Sequence, residues 1–326
     1  MSEEKLKVAV VGLGKMGLVH SGILNVLPGV QLAAVCEKSS LIRKLAKKVF
    51  KEISVVDDVK RLSEFDLDAV YVTTPIPSHF AIAKTLYSEK IVRNVFVEKT
   101  LASNYVEAKE LCELVRNTGG VNMVGYLRRF YVTFSKAKDL LTQDAIGRVS
   151  SFKSYAYSSD FVGNEKALLA GSASRGGLLS DLGCHAIDLA LWFFGDLRIN
   201  SAKQEPVSNG TSGESVNFRV MRLDGLVGEF KVSWCMRNYR MAEVGFSING
   251  SKGMIDVNDD KVTLKLNIGE SSVWYRHDLQ DSVPFWLGLP EYYREDFHFV
   301  RSVVEKRGAT PNFEEASKVD KLIAQI

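Results

Sequence analysis

The sequence predicts an α/β N-terminal Rossmann domain with a doubly wound parallel sheet, followed by an α+β domain with a large, mostly antiparallel open sheet. Three observations support this. A glycine-rich turn joins the first β-branched strand to a helix, strands and helices then alternate to about residue 125, and mainly strand-like segments follow residue 148. We therefore predict two domains, a dinucleotide-binding domain at 1–125 and an α+β domain at 126–326.

Size and composition are ordinary for a soluble globular protein. The chain has 326 residues, 46% hydrophobic and 25% charged, and its 42 basic and 39 acidic residues leave a net charge of +3. This balance argues against nucleic acid or a membrane as a partner, and no apolar run approaches the roughly 20 residues of a membrane span. The polar N-terminus shows no secretory signal, and the four scattered cysteines form neither a zinc nor a disulfide pattern. We expect a cytoplasmic protein without a metal site.

The first strand leads into a turn that is typical of nucleotide binding. A β-branched run at 7–11 precedes a G-x-G-x-x-G motif, and a helical run follows and ends at Pro28. The first glycine permits a tight turn, the second lets backbone approach a pyrophosphate, and the third lets helix and strand pack closely. The helix amides and dipole would then attract the phosphate charge. The residues that we expect to contact the coenzyme here are Gly12, Gly14, Lys15, Met16 and Gly17.

A carboxylate follows the second strand where a Rossmann fold recognises the adenosine ribose. Glu37 ends the strand-like run 30–37 and lies 20 residues beyond Gly17. A carboxylate there repels a 2′-phosphate, so NAD is favoured over NADP. Lys38, which we place with Glu37 among the coenzyme-binding residues, and Arg43 weaken that preference through their charge. The alternative is that Glu37 is a solvated loop acid.

Further candidates lie at or just past the ends of later strands. Strand-like and helical segments alternate along residues 39–117, and ligands of doubly wound sheets bind beyond the carboxyl ends of the strands. A lysine at such an end is either a catalytic cation or a surface charge, and its position alone does not decide. The candidates are Thr74, His79, Glu98 and Lys99.

A glycine-led apolar stretch at 176–195 carries two acids and a histidine. Asp181, His185 and Asp188 stand four and three residues apart, which places them on one face of an α-helix with about 3.6 residues per turn. Buried Asp and His side chains need partners or a purpose. The stretch is either a core helix whose polar groups bond to neighbouring backbone or part of an active site.

Four motifs, in this order along the chain, resemble the Gfo/Idh/MocA family, the glucose–fructose oxidoreductase and inositol dehydrogenase group. They are the G-x-G-x-x-G turn, a Thr-Pro segment with a histidine at a helix start, a Glu-Lys-Pro-like tripeptide, and G-G-x3-D-x-G-x-H. Residues 125–130 also resemble the segment that enters the family's second domain. One departure is Thr100, which stands where the family usually has proline after Glu-Lys.

The resemblance implies an oxidoreductase and a catalytic group. Hydride would pass between a secondary alcohol of a sugar, sugar derivative or cyclitol and the nicotinamide of NAD or NADP. His185 would be the general base, Lys99 would stabilise alkoxide charge, and Asp181 would orient the substrate hydroxyl or the imidazole. Two alternatives remain open: coupled redox or hydrolytic chemistry with a tightly bound, recycled coenzyme, and a nucleotide-sensing regulator without turnover.

The resemblance also implies that the domain at 126–326 serves substrate binding and oligomerisation, that the C-terminal helices pack back on the first domain and that the open sheet face forms a homodimer or homotetramer. Tyr292, Tyr293, Arg294 and His298 are candidates to reach the substrate, with core or interface packing as the alternative. His20 and His277 carry no signal. The loop 158–175 and the C-terminal sheet contain no motif that identifies the substrate.

Overall fold

The computed structural model describes residues 5–162, 175–206, 214–279 and 290–326. These residues divide into two compact units. The first unit holds the described parts of 1–126 and 283–320, and the second holds those of 127–282 and 321–326. Residues 163–174 of the predicted substrate loop lie outside the described residues.

The first unit is built on a parallel sheet. Its strands are β1 (Leu6–Val11), β2 (Val30–Cys36), β3 (Ser54–Val56), β4 (Ala69–Val72), β5 (Asn94–Glu98) and β6 (Asn122–Gly125). In the described part of the chain these six lie in the order β3-β2-β1-β4-β5-β6, and all neighbours run parallel. This is the Rossmann order, in which the strand order reverses between β1 and β4 and a dinucleotide binds at that point. The predicted doubly wound parallel sheet is confirmed.

Helices join the strands of this sheet. They are α1 (Lys15–Val26), α2 (Ser40–Val49), α3 (His79–Ser88) and α4 (Tyr105–Thr118). Side chains satisfy the first amides of two of them, because Ser39 Oγ accepts from the Ile42 N–H at 3.4 Å and Asn104 Oδ1 accepts from the Glu107 N–H at 3.0 Å. β4 is buried at every residue, as expected of an apolar strand covered on both faces.

The second unit is built on a mostly antiparallel sheet. Its strands are β7 (Val149–Tyr157), β8 (Arg198–Pro206), β9 (Glu214–Met221), β10 (Val227–Ser233), β11 (Glu243–Gly250), β12 (Gly253–Asn258), β13 (Lys261–Leu266) and β14 (Ser271–Tyr275). Among the described residues their order is β14-β13-β12-β11-β7-β10-β9-β8, and only β7 and β10 pair in parallel. The prediction of a large open sheet is confirmed.

The described part of this unit includes the helices α5 (Val132–Thr142) and α6 (Cys184–Phe194). Alternate residues of β7 are buried, and the Phe152 ring stacks on Phe194 of α6 with 4.5 Å between ring centroids. Phe152 also meets Phe230 edge-on at 5.5 Å. Aromatic packing therefore attaches α6, which carries the predicted catalytic histidine, to one face of the sheet.

The end of the chain contributes helices α7 (Pro290–Val304) and α8 (Phe313–Ile323). All of α7 and most of α8 lie in the first unit. The Val124 N–H donates to the Pro311 carbonyl at 2.9 Å, and the Phe313 N–H donates to Asn122 Oδ1 at 2.7 Å. These bonds give the outer strand, β6, hydrogen-bond partners from a distant part of the sequence.

Candidate functional site

The three glycines of the turn after β1 meet three different surroundings. A Cβ atom on Gly12, whose φ is +93°, would lie 2.6 Å from Thr74 Cγ2, and one on Gly17 would lie 1.8 Å from the Gly12 carbonyl oxygen. At Gly14 no described atom lies within 4 Å of the same position. Two glycines are therefore required by packing, whereas Gly14 leaves open space at the N-terminus of α1.

The start of α1 has the properties of an anion-binding site. Gly14 caps the helix without a side-chain hydrogen bond, and the first turn, which begins with Lys15 and Met16, holds no acidic residue. The Leu18 N–H bonds back to the Gly14 carbonyl at 3.0 Å. The amides that precede it therefore point out of the helix end, where the macrodipole favours negative charge.

Glu37 is fixed beside this turn. Its Oε2 accepts from the Leu13 N–H at 2.8 Å, and its Oε1 accepts from the Ser39 N–H at 2.8 Å. The half-buried carboxylate thus ties the end of β2 to the glycine-rich turn. Each oxygen keeps a second lone pair, so the group can still accept hydrogen bonds from ribose hydroxyls.

A cation lies beside the main chain of Glu37. Arg43 Nη1 donates to the Glu37 carbonyl at 2.9 Å and to the Lys38 carbonyl at 2.5 Å, while Arg43 Nη2 lies 3.9 Å from Asp57 Oδ2. The Lys38 residue itself is exposed. Acid and base are thus both present at the end of β2, the position at which Rossmann folds generally distinguish NAD from NADP.

His79 connects the segments that follow β4 and β5. The imidazole is fully buried, with Nε2 at 2.7 Å from the Thr74 carbonyl oxygen and Nδ1 at 2.8 Å from the Thr100 carbonyl oxygen. Burial lowers the pKa of His79, although both carbonyls favour the cation. The ring therefore joins the main chain that follows β4 to the main chain that follows β5. The structure brings together Thr74, His79 and the residue after Lys99.

Glu98 is the last residue of β5 and Lys99 follows it, and Glu98 is bound on both sides. Glu98 Oε2 accepts from the Lys99 N–H at 3.0 Å, and Oε1 lies 3.1 Å from His20 Nε2. On the other side of the same ring, His20 Nδ1 lies 2.7 Å from Asp296 Oδ1. The Lys99–Thr100 peptide bond is cis.

The prediction that His20 carries no signal is wrong. The side chain is fully buried among charged groups and lies on the face of α1 that also presents Gly17, three residues earlier. That spacing was the available signal, since a histidine on the packed face of the helix needs polar partners. The partners could not be found by pattern, because Asp296 is 276 residues away along the chain.

In the second unit, one π-helical turn precedes the α-helix with the predicted catalytic histidine. The turn spans Leu179–Gly183, and the Cys184 N–H reaches back five residues to the Leu179 carbonyl. The prediction of a regular α-helix through Asp181, His185 and Asp188 is therefore wrong at its first turn, where the wider π turn changes the angular spacing. Such turns frequently occur at functional sites.

Asp181 and Asp188 have different surroundings as a result. Asp181 Oδ2 lies 3.2 Å from Arg175 Nη1, and the same nitrogen lies 2.8 Å from Asp160 Oδ2. Asp188 is buried and binds Arg129, which is also buried. His185, between them, is half-buried. Asp181 and His185 thus lie on successive turns, whereas Asp188 belongs to the core.

The aromatic and histidine candidates on α7 contact residues of their own unit. Tyr292 Oη lies 3.8 Å from Met16 Sδ, and the Tyr292 ring meets the His20 ring edge-on at 5.9 Å. His298 Nε2 accepts from the Thr310 N–H at 3.2 Å.

Within the described ranges, no helix is both long and apolar enough to cross a membrane.

Two family models match the chain. The model described as "Oxidoreductase family, NAD-binding Rossmann fold" matches residues 6–126, and the model described as "GFO/IDH/MocA C-terminal domain" matches residues 134–256. Together they account for most of the sequence. The first match contains the glycine-rich turn, Glu37 and Lys99, and the second contains Asp181 and His185.

Relatives with known activities are similar to this chain. A scyllo-inositol 2-dehydrogenase (NAD(+)) of Bacillus subtilis is 28% identical over 204 residues, 59% of this chain and 55% of that protein. A levoglucosan dehydrogenase of Pseudarthrobacter phenanthrenivorans is 23% identical over 91% of this chain and 80% of its own length. The chain spans about half the length of the first and of several other curated relatives.

A solved structure shares the fold. A levoglucosan dehydrogenase in complex with NADH and levoglucosan superposes with a TM-score of 0.84 at 20% identity, covering 98% of this chain and 96% of the other. This likeness shows the fold, and the two family models lead to the conclusion about the family. The chain belongs to the Gfo/Idh/MocA family of oxidoreductases.

Proposed function

We propose that this protein is an NAD(P)-dependent dehydrogenase that transfers a hydride between a secondary alcohol of a sugar, sugar derivative or cyclitol and the nicotinamide. The observation that carries the proposal is the turn after β1, where Gly14 leaves open space beside the uncapped N-terminus of α1. Relatives named as inositol, levoglucosan and D-glucoside dehydrogenases support the substrate class.

We favour NAD over NADP as the coenzyme. The Glu37 carboxylate is held at the end of β2 by two backbone amides, and a fixed negative charge there opposes a 2′-phosphate. Arg43 Nη1 donates to two main-chain carbonyls, so fewer of the guanidinium N–H groups remain to bind a 2′-phosphate. Thr74, His79 and Glu98 belong to the same coenzyme-binding set, with His79 fixing the main chain at the strand ends.

We assign the proton chemistry to three side chains. His185 accepts the hydroxyl proton as the C–H bond breaks, the Lys99 ammonium stabilises the developing alkoxide, and Asp181 orients the hydroxyl or the imidazole. The coenzyme, when bound, supplies the hydride acceptor. Arg175 bridges Asp181 and Asp160, which keeps the Asp181 carboxylate in place for this role.

The decisive experiment follows reduced-nicotinamide absorbance with NAD and NADP against a panel of sugars, sugar acids and inositols. The His185→Ala variant should lose nearly all turnover while it binds NADH with almost unchanged affinity. His277→Ala is the matched control, since His277 is an exposed histidine in the same unit, and it should keep wild-type turnover. Equal turnover in wild type and His185→Ala would refute the assignment of the base.

If the absorbance does not change with any substrate, the two alternatives, a recycled coenzyme and a nucleotide-sensing regulator, are to be tested next. Nucleotide released from the denatured protein, together with conversion of substrate and no net NADH, would indicate a recycled coenzyme. Bound nucleotide without any conversion of substrate would indicate a regulator. The presence of Lys99, Asp181 and His185 argues against the regulator, because a sensor has no need for this set of side chains.

We further propose a cytoplasmic homodimer or homotetramer that associates through the open face of the second unit's sheet. Tyr155 and Tyr157 lie on the sheet face opposite Phe152, with their rings stacked at 5.0 Å, and exposed Met241 lies two residues before the start of β11. An aromatic and apolar surface of this kind favours association. Light scattering coupled to gel filtration would report the mass, and a monomer at micromolar concentration would contradict the proposal.

A further inference from the structure

A line of three buried ionisable groups ends at the main chain of the proposed catalytic lysine. Asp296 Oδ1 lies 2.7 Å from His20 Nδ1, and His20 Nε2 lies 3.1 Å from Glu98 Oε1. The line ends where Glu98 Oε2 accepts the Lys99 N–H at 3.0 Å. We call Asp296, His20 and Glu98 the histidine clamp.

The clamp joins three elements of the first unit that are far apart in sequence. His20 lies on α1, whose N-terminus forms the proposed phosphate site, Glu98 is the last residue of β5, and Asp296 lies on α7. His20 and Asp296 have no exposed surface, and Glu98 has 7%. Solvent therefore cannot take over the hydrogen bonds of these groups if a partner is removed.

Aromatic rings enclose the imidazole. The rings of Tyr71, Phe96 and Tyr292 lie 5.6, 5.2 and 5.9 Å from that of His20. Apolar side chains in place of all three clamp residues would suit such surroundings, because replacing a whole buried ion pair or triad by apolar residues is often neutral or stabilising. A charged cluster in this place is therefore poorly explained by stability alone.

The geometry suits a positively charged ring. Ionised carboxylates only accept hydrogen bonds, so when Asp296 and Glu98 are both ionised, the imidazole between them needs both N–H groups and is a cation. Burial lowers the pKa of His20, but Asp296 and Glu98 outweigh it and raise the pKa well above the ordinary value. Burial raises the pKa of Glu98, yet His20 and Lys99 bring it below its usual range. Burial raises the pKa of Asp296 against the opposing effect of His20.

We propose that His20 is a positioning residue for Lys99: as an imidazolium held by Asp296, it orients the Glu98 carboxylate so that Glu98 fixes the Lys99 main chain at the carboxyl end of β5. This inference rests on the proposed function in one respect, the catalytic role of Lys99. The helix that binds the phosphates and the lysine that stabilises the alkoxide are then coupled through one buried cation.

The first test needs no variant and no substrate. In wild-type protein labelled with ¹⁵N-histidine, both ring nitrogens of His20 should carry protons at neutral pH and above, with the shifts of an imidazolium. The assignment can be made against a His20→Gln sample or, if that variant does not fold, by through-space contacts to the rings of Tyr71 and Phe96. A neutral tautomer of His20 at neutral pH would overturn the proposal.

The second test compares two variants of similar size. The amide nitrogen of asparagine can replace Nδ1 of histidine, whereas that of glutamine can replace Nε2. His20→Gln thus retains a donor for Glu98, while His20→Asn retains one for Asp296. Hydrogen exchange at the Lys99 amide should be about tenfold faster in His20→Asn and close to wild type in His20→Gln. Equal exchange rates in both variants and wild type would refute the positioning role.

Kinetics separates this inference from the proposed function. With a substrate that the wild type oxidises, His20→Asn should lower kcat about tenfold with little change in the KM for NAD, and His20→Gln should recover most of the loss. A purely structural role would reduce the amount of folded enzyme without this contrast between variants. If the wild type oxidises no substrate, the proposed function fails, and amide exchange at Lys99 still decides on the clamp.

Discussion

Arg129 binds both carboxylate oxygens of Asp188 inside the second unit. Nε lies 3.1 Å from Oδ1 and 2.9 Å from Oδ2, and Nη2 lies 2.7 Å from Oδ1. The two side chains are only 6% and 1% exposed. Asp188 is three residues beyond His185 on the same helix, so this pair fixes the rotation of α6 about its axis and thereby the direction of the His185 side chain.

The Asp188→Asn variant should be strongly destabilised. It keeps the shape of the side chain but removes the buried negative charge that Arg129 binds, and breaking a buried ion pair costs about 3–5 kcal/mol. Urea unfolding measures the loss. Asp144→Asn is the matched control, because it removes an exposed ion pair with Lys252 in the same unit and should change the free energy of unfolding far less. Similar losses in both variants would contradict a special role for the buried pair.

Gly14 and Gly17 should respond in opposite ways to alanine. Gly17→Ala places a methyl group 1.8 Å from the Gly12 carbonyl oxygen and should cost more than about 3 kcal/mol of stability. Gly14→Ala meets no described atom within 4 Å, so stability should change by less than about 1 kcal/mol. NADH affinity should nevertheless fall about tenfold, because the methyl group occupies the space where a pyrophosphate would lie.

Fluorescence titration with NADH and thermal melts of the same samples would check both glycine variants. Unchanged NADH affinity in a folded Gly14→Ala variant would place the phosphates elsewhere.

Removal of the charge on Glu37 should shift the choice of coenzyme. Glu37→Gln keeps an oxygen that can accept from the Leu13 or Ser39 N–H but no longer repels a 2′-phosphate, and Arg43 stays close by. We expect the ratio of the NADP and NAD dissociation constants to fall about tenfold, which corresponds to one charge interaction of about 1.4 kcal/mol. Competitive titrations with both coenzymes measure the ratio, and no change would mean that Glu37 does not contact the ribose.

The stability of the first unit should depend on pH through Asp320. Burial raises the pKa of this carboxyl well above its ordinary value, and a backbone hydrogen bond from Ala102 compensates only in part. The unfolded chain releases this proton near pH 4, whereas the folded chain holds it to higher pH. The folded state therefore binds more protons in this range, and the free energy of unfolding falls as pH rises.

Asp320→Asn removes that dependence. The melting temperature of the variant should exceed that of the wild type by several degrees near pH 8, and the two should converge towards about pH 4. Calorimetry across this range provides the measurement. Parallel curves for the two proteins would show that Asp320 titrates in the same way in the folded and unfolded chains.

The fold was largely predictable, because its signals are local. The buried strands of the first unit are unbroken apolar runs, and the first of them precedes a glycine-rich turn with a fixed meaning. Two strands of the second unit, β8 and β14, were not predicted. β8 is rich in polar residues, and β14 is an exposed strand at the edge of its sheet, so neither carries the alternation of a half-buried strand.

The predicted site residues lie on the predicted elements, but their partners could not be found from the sequence. Nothing local indicates that His79 bonds to the Thr100 carbonyl, or that His20 meets a carboxylate 276 residues away. The π-helical turn before α6 was missed for a related reason. The turn is defined by a hydrogen bond that spans five residues instead of four, whereas an argument from residue spacing assumes 3.6 residues per turn throughout.

The return of the chain to the first unit has a consequence for how the protein is made. β6 obtains hydrogen bonds from Pro311 and Phe313, and His20 obtains Asp296, only after the ribosome has translated the second unit. Until then the nascent nucleotide-binding unit holds a buried histidine and Glu98 without their counterpart on α7. The buried partners of His20 and of β6 are therefore complete only near the end of translation.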